Sequence, residues 1–184
     1  MPDPVIHYGF SLLFLLSMRK EPKKSIFLAI AGVLPDFDVF LYPIIVHRTL
    51  THSILVIWLL FSIIFCVGKY YKPIEKYKEE LLYVPILMSL HVLFDLFEWY
   101  VAILWPINIA IWIEVSAISS IRSGKILGMN FNIHVADLSV FGKAGMGYIF
   151  GGYSPAFGII SFIIAFLSMI NNKNVNTKMI VSKE

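Results

Sequence analysis

The stretch Gly32–Ser53, GVLPDFDVFLYPIIVHRTLTHS, decides how this chain is read. Two carboxylates (Asp36, Asp38), two histidines (His47, His52) and Arg48 fall inside it, among Ile, Leu, Phe, Val and Tyr. Ionisable groups in an apolar segment are costly unless they pair, bind or react. The stretch therefore predicts a site, completed from elsewhere in the chain. His91 and Asp95, spaced H-x-x-x-D, are the expected partners, with His7 upstream.

Composition sets the environment. Of 184 residues, 58% are hydrophobic and 15% charged, and the mean hydropathy is +0.78. A soluble domain is about half apolar and about a quarter charged. The expectation is an integral membrane protein: an all-α, multi-pass transmembrane helix bundle forming one membrane domain over residues 1–184. The net charge of +3 is small and gives no reason to expect nucleic acid. The single cysteine, Cys66, cannot form an intrachain disulfide and makes no metal motif. The N-terminus lacks a positive n-region and an A-x-A-like site, so a retained first helix is expected rather than a cleaved signal.

Apolar runs predict about five membrane segments: 5–18, 26–46, 53–68, 81–105 and 147–170. Residues 1–105 form the expected metal-site core, 106–146 an outer loop region, 147–170 the last transmembrane helix and 171–184 a polar tail. Eleven of the fifteen Lys and Arg residues fall in 19–24, 69–80 and the tail. The positive-inside rule places these in the cytoplasm. The expected location is the inner membrane, with the N-terminus outside and the C-terminus cytoplasmic.

His91 and Asp95 lie one turn apart on one helical face. Imidazole nitrogen with carboxylate oxygen suits a divalent metal such as zinc. Asp36 and Asp38 cannot share a face in an ideal helix. A break at Pro35 would let one bind metal while the other orients a ligand or water. Arg48 suits a phosphate oxygen, with Glu98 as a neighbour or ion-pair partner. The ordinary structural alternatives are a buried helix-to-helix hydrogen bond for His91 and Asp95, and caps for Asp36, Asp38 and His52. His7 could equally be interfacial, and His47 and Arg48 exposed turn residues.

Taken together, His7, G-x-L-P-D-x-D (Gly32 to Asp38), H-R-x-x-T-H-S (His47 to Ser53) and His91-x-x-x-Asp95 resemble the YdjM-type family over about the first 105 residues. That family is described as LexA-binding, inner-membrane-associated metal-dependent hydrolases. It is similar in turn to zinc-dependent phospholipase C, whose metal core uses an early His, an Asp followed by a His fourteen residues later, and H-x-x-x-D. The resemblance implies one ion held by Asp38, His52, His91 and Asp95, and a second using His7 with Asp95 as a bridge. It implies one or two divalent ions, most simply zinc.

The expected function is a membrane-bound hydrolase of phosphoester bonds, acting on a phospholipid or lipid-linked phosphate at the bilayer. Asp36 or Asp38 would handle the attacking water and Arg48 would steady the phosphate, so Asp36 and Arg48 are the catalytic candidates. The alternatives are an ion- or proton-coupled transporter, or a non-catalytic bundle with a structural metal. No H-E-x-x-H motif supports metalloprotease chemistry.

Overall fold

The structure is a computed structural model that describes residues 4–41, 44–119, 126–143, 160–168 and 170. Its organising element is a 3-10 helix of 13 residues, Ala29–Leu41, long for a form that rarely exceeds three or four. Burial explains the winding. Ala29, Gly32, Pro35 and Asp38 recur every third residue and all are buried. Three residues per turn stacks them in one row. The chain does not break at Pro35; it winds more tightly through it.

Helix α1 (Pro4–Ser17) lies against this row. Gly32 is the point of closest approach: a Cβ there would stand 1.8 Å from Ser11 Oγ and 3.3 Å from the His7 carbonyl. Helix α2 (Pro22–Leu28) opens with proline in its first turn, where a missing N–H costs nothing, and runs directly into the 3-10 helix. Helix α5 (Lys78–Asp95) covers another side of the row. Helix α3 (Ile54–Gly68) packs on α5, and the short α4 (Lys72–Lys76) links the two.

The start of α3 is fixed by Ser53. Its Oγ accepts from Val56 N at 3.3 Å, a helix cap, and donates to the carbonyl of Trp105 at 3.1 Å. Ile54 N donates to Ile103 O at 3.0 Å, and Ala102 N to Arg48 O at 3.0 Å. The segment after α5 thereby clasps residues 48–54, which contain the short 3-10 turn Leu50–His52. Two apolar clusters flank the polar centre. Leu12, Leu15, Ala29, Ala31 and Leu87 form one, with Ala165 from the helical stretch 160–168. Ile57, Phe61, Val92, Leu96 and Val101 form the other.

Two expectations are corrected. The first is the all-α, multi-pass transmembrane bundle. Among the described residues, no helix is long and apolar enough to cross a membrane. Helix α3 is apolar throughout but has 15 residues, against the ~20 a span needs. Helix α5 has 18 residues but carries Lys78, Glu79, Glu80, His91 and Asp95. The N-out, C-in orientation presupposed spans that these helices do not provide. The last expected span lies outside the described residues over 147–159, and the tail 171–184 lies outside them entirely.

The second correction is the β-structure. Within the expected outer loop, β1 (Ala110–Ser119) and β2 (Ile126–Ala136) pair antiparallel, from Ala110 opposite Ala136 to Ser119 opposite Ile126. Met129, Phe131, Ile133 and Val135 alternate along β2 with polar Asn130, Asn132 and His134, the period of two that a strand imposes. The expected helix 81–105 ends at Asp95 instead, and Leu96 O then accepts from Ile113 N of β1 at 2.7 Å.

Candidate metal centre

Three elements and one turn deliver the polar residues. His7 comes from α1, Asp36 and Asp38 from the 3-10 helix, His52 from the turn before α3, and His91 and Asp95 from the last two turns of α5. All six are between 0% and 8% exposed, as is Arg48. Ionised groups cannot be buried at this density without partners.

Four ligand atoms meet at one point. His52 Nε2 lies 3.2 Å from His91 Nε2, 3.6 Å from Asp36 Oδ1 and 3.2 Å from Asp95 Oδ2. His91 Nε2 lies 3.4 Å from Asp36 Oδ1 and 3.6 Å from Asp95 Oδ2. Atoms bound at ~2.0–2.2 Å around a tetrahedral zinc lie about 3.3–3.6 Å from one another. Five of the six edges of such a tetrahedron are thus present, and all four atoms lie within 4.8 Å of each other.

The surroundings turn these atoms inward. His91 Nδ1 donates to the Gly32 carbonyl at 2.7 Å, which leaves Nε2 to face the centre. His52 has Asp38 Oδ2 at 3.4 Å from its Nδ1, on the side away from the cluster. Asp38 is held in turn by Thr51 Oγ1 and, at 2.6 Å, by His47 Nδ1. Asp36 and Asp38 therefore approach His52 from opposite sides. His7 stacks on His91 with ring centroids 3.7 Å apart and brings Nε2 to 3.3 Å from Asp95 Oδ1.

Several buried atoms of this centre form no hydrogen bond: His7 Nδ1 and Nε2, Asp36 Oδ2, both Asp95 oxygens and His47 Nε2. Each such orphan costs roughly 1–3 kcal/mol. A divalent ion that accepts lone pairs from Asp95, and from His7 beside it, would recover part of that cost, so the donor set fits a metal. The charge balance points the same way. Burial alone would raise the carboxyls of Asp36, Asp38 and Asp95, but the neighbouring imidazoles hold all three well below the usual carboxylate range. Burial alone would depress His52, yet Asp36, Asp38 and Asp95 around it push it up to about 10. Burial lowers His91 and keeps it neutral.

Arg48 is the guanidinium at the centre. Its Nη2 donates to Glu98 Oε2 at 2.5 Å and its Nε lies 3.6 Å from Asp95 Oδ2. Its backbone has φ 64°, a conformation non-glycine residues hold only where their surroundings enforce it. Here the Ala102 bond to its carbonyl helps enforce it.

Every residue expected at the site comes to this centre, but their grouping differs from the expected one. The four-atom cluster holds Asp36, where the family resemblance had implied Asp38. Asp38 instead groups with His47 and His52. His47, read as a turn residue, is a partner of Asp38. The Gly32 carbonyl and Thr51 carried no side-chain signal that spacing could have assigned. His134, in the expected outer loop, pairs with Glu114 at 2.9 Å on the hairpin.

Comparison with curated proteins and with solved structures gives no match, so the similarity to zinc-dependent phospholipase C rests on motif spacing alone. A family model, "YdjM inner membrane protein", matches residues 3–174. That span takes in the metal-centre residues, the hairpin and the stretch 160–168, and extends the resemblance well beyond residue 105. The chain belongs to the YdjM inner membrane protein family.

Proposed function

We propose that this protein is a membrane-associated, metal-dependent hydrolase of phosphoester bonds, acting on a lipid or lipid-linked phosphate. The observation that carries the reading is the set of five near-tetrahedral separations, 3.2–3.6 Å, among Asp36, His52, His91 and Asp95. These four residues would hold the ion, and two imidazoles with two carboxylates favour zinc. His7, next to the second oxygen of Asp95, is placed to hold a second ion. When bound, such an ion supplies Lewis acidity toward a phosphoryl oxygen and acidifies a water.

The chain's own groups divide the remaining work. Asp36 Oδ2 has no protein partner and can accept a hydrogen bond from the attacking water. Its low proton affinity makes it an orienting acceptor rather than a strong base. Asp38 holds the His52 ring in place through Nδ1. Arg48, beside Asp95, presents a planar fork of donors suited to a phosphate oxygen. The membrane side of the reading is supported by the family and by apolar surface. Phe131, Ile133 and Val135 of β2, and Leu59, Ile63 and Val67 of α3, are exposed.

A second reading is a purely structural ion, favoured by the four protein donors and their burial, since structural zinc sites are closed. One experiment separates the two. Protein loaded with one zinc per chain should hydrolyse bis(4-nitrophenyl) phosphate, and the His91→Ala, Asp95→Ala double variant should lose both zinc and activity. Stoichiometric zinc with no hydrolysis above background would favour the structural reading, and folded wild-type protein that takes up no zinc would sink both.

A further inference from the structure

We propose that the cleft between α1 and α5 is a hydrocarbon-chain subsite, holding the single alkyl tail of a molecule whose phosphate end sits at the metal centre. The proposal rests on the hydrolytic reading above and names the other half of the substrate. The cleft has a volume of about 340 Å³, at the small end of the ~300–1,000 Å³ range of ligand sites. That size suits one chain rather than two.

Its walls are Phe10, Leu13 and Phe14 from α1 and Leu90 and Phe94 from α5. Phe10 and Phe94 stack across it with centroids 4.4 Å apart. Both are partly exposed, so the cleft reaches the surface at that pair. Its inner end is made by His7 and His91. These are the two imidazoles that stack on one another at the metal centre. His7 is 1% exposed and neither of its ring nitrogens has a hydrogen-bond partner. The cleft is thus mainly apolar, with Ser11 and Ser17 the other polar side chains in its lining, and it ends on His7, whose ring nitrogens are unsatisfied. An amphiphile with one charged end and one hydrocarbon tail matches that order; a free phosphate would leave the apolar walls unused.

The test uses the full chain, zinc-loaded and in detergent, with a dodecyl phosphate bearing a diazirine on its chain as the photoprobe. Label should concentrate on residues 10–14 and 90–94. Dodecyl phosphate should compete it away, and butyl phosphate should need at least about a hundredfold higher concentration, since each buried methylene is worth roughly fourfold and burial of even four of the eight extra ones exceeds that ratio. Leu13→Trp and Leu90→Trp, which fill the cleft from opposite walls, should each cut labelling at least about fivefold without loss of zinc. Label spread evenly onto exposed Leu59 and Ile63 of α3, equal competition by butyl phosphate, or label unmoved by both tryptophans would overturn the proposal. So would a cross-linked dimer joined through these peptides, which would make a second copy the occupant. Zinc uptake is read separately. Protein that binds zinc but shows no cleft label refutes the subsite and leaves the metal centre standing, whereas cleft label on protein that binds no zinc supports the subsite and refutes the hydrolytic reading.

Discussion

Gly32→Ala should do disproportionate damage for the addition of one methyl group. The new Cβ would lie 1.8 Å from Ser11 Oγ and 2.8 Å from Ser11 Cβ, far inside van der Waals contact, so α1 must move away from the 3-10 helix. Overpacking of this kind costs about 1–3 kcal/mol, roughly a 2–12 °C fall in Tm for a chain of this size. The movement would also separate His7 from His91 and disturb the Gly32 carbonyl that receives His91 Nδ1 at 2.7 Å, so zinc retention should fall with stability. A cycle with Ser11→Gly isolates the cause. Removing Ser11 Oγ and Cβ leaves only the His7 carbonyl, at 3.3 Å, near the new methyl. Ser11→Gly alone should cost about 0.5 kcal/mol of helix propensity. In that background Gly32→Ala should cost under about 0.5 kcal/mol, a coupling above the ~0.5 kcal/mol that marks contact. Chemical melts of the four proteins, with zinc content read by mass spectrometry, decide it. Equal costs of Gly32→Ala in both backgrounds would refute the close-approach argument.

Other outcomes follow from the same geometry. Zinc affinity should rise about tenfold per pH unit from pH 6 to 9, because the ion displaces the proton that the three aspartates hold on His52 up to about pH 10; titration calorimetry with a flat profile would contradict this. Arg48→Ala should destabilise the protein by about 1.5–3 kcal/mol, by removing the buried guanidinium bonded to Glu98 and set beside Asp95, measured by denaturant melts. Ser53→Ala should cost about 1–2 kcal/mol, losing the α3 cap and the bonds to the Ile103 and Trp105 carbonyls. His47→Ala should leave zinc bound, since His47 touches Asp38 and the edge of the His52 ring but supplies no atom to the four-atom cluster, and the same metal analysis checks it.

The chemistry of the centre was more legible than its architecture. His91 and Asp95 could be paired from a spacing of four because that spacing has one geometric meaning on a helix. Asp36 and Asp38 could not be assigned, because their roles depend on the winding of the backbone between Ala29 and Leu41. A 3.6-residue period makes Pro35 a break; a period of three makes Ala29, Gly32, Pro35 and Asp38 one buried row. The three-residue spacing is visible in the sequence, but hydropathy alone does not single it out. The spans were misjudged for a related reason. High hydropathy pointed to membrane spans, yet the apolar runs are interrupted by site residues and α3 stops at 15 residues. The hairpin was concealed by the same bulk hydropathy, although the alternation from Met129 to Val135 records it.

The central claim, that Asp36 rather than Asp38 completes the metal cluster with His52, His91 and Asp95, is tested most directly by zinc content and zinc K-edge absorption of two single variants. Asp36→Asn should lose most of its zinc, with affinity down more than the ~10–100-fold that loss of an outer partner such as Asp38 costs. Asp38→Asn should keep one zinc per chain with two imidazole ligands at ~2.0–2.1 Å. Full zinc in Asp36→Asn together with loss in Asp38→Asn would contradict the account.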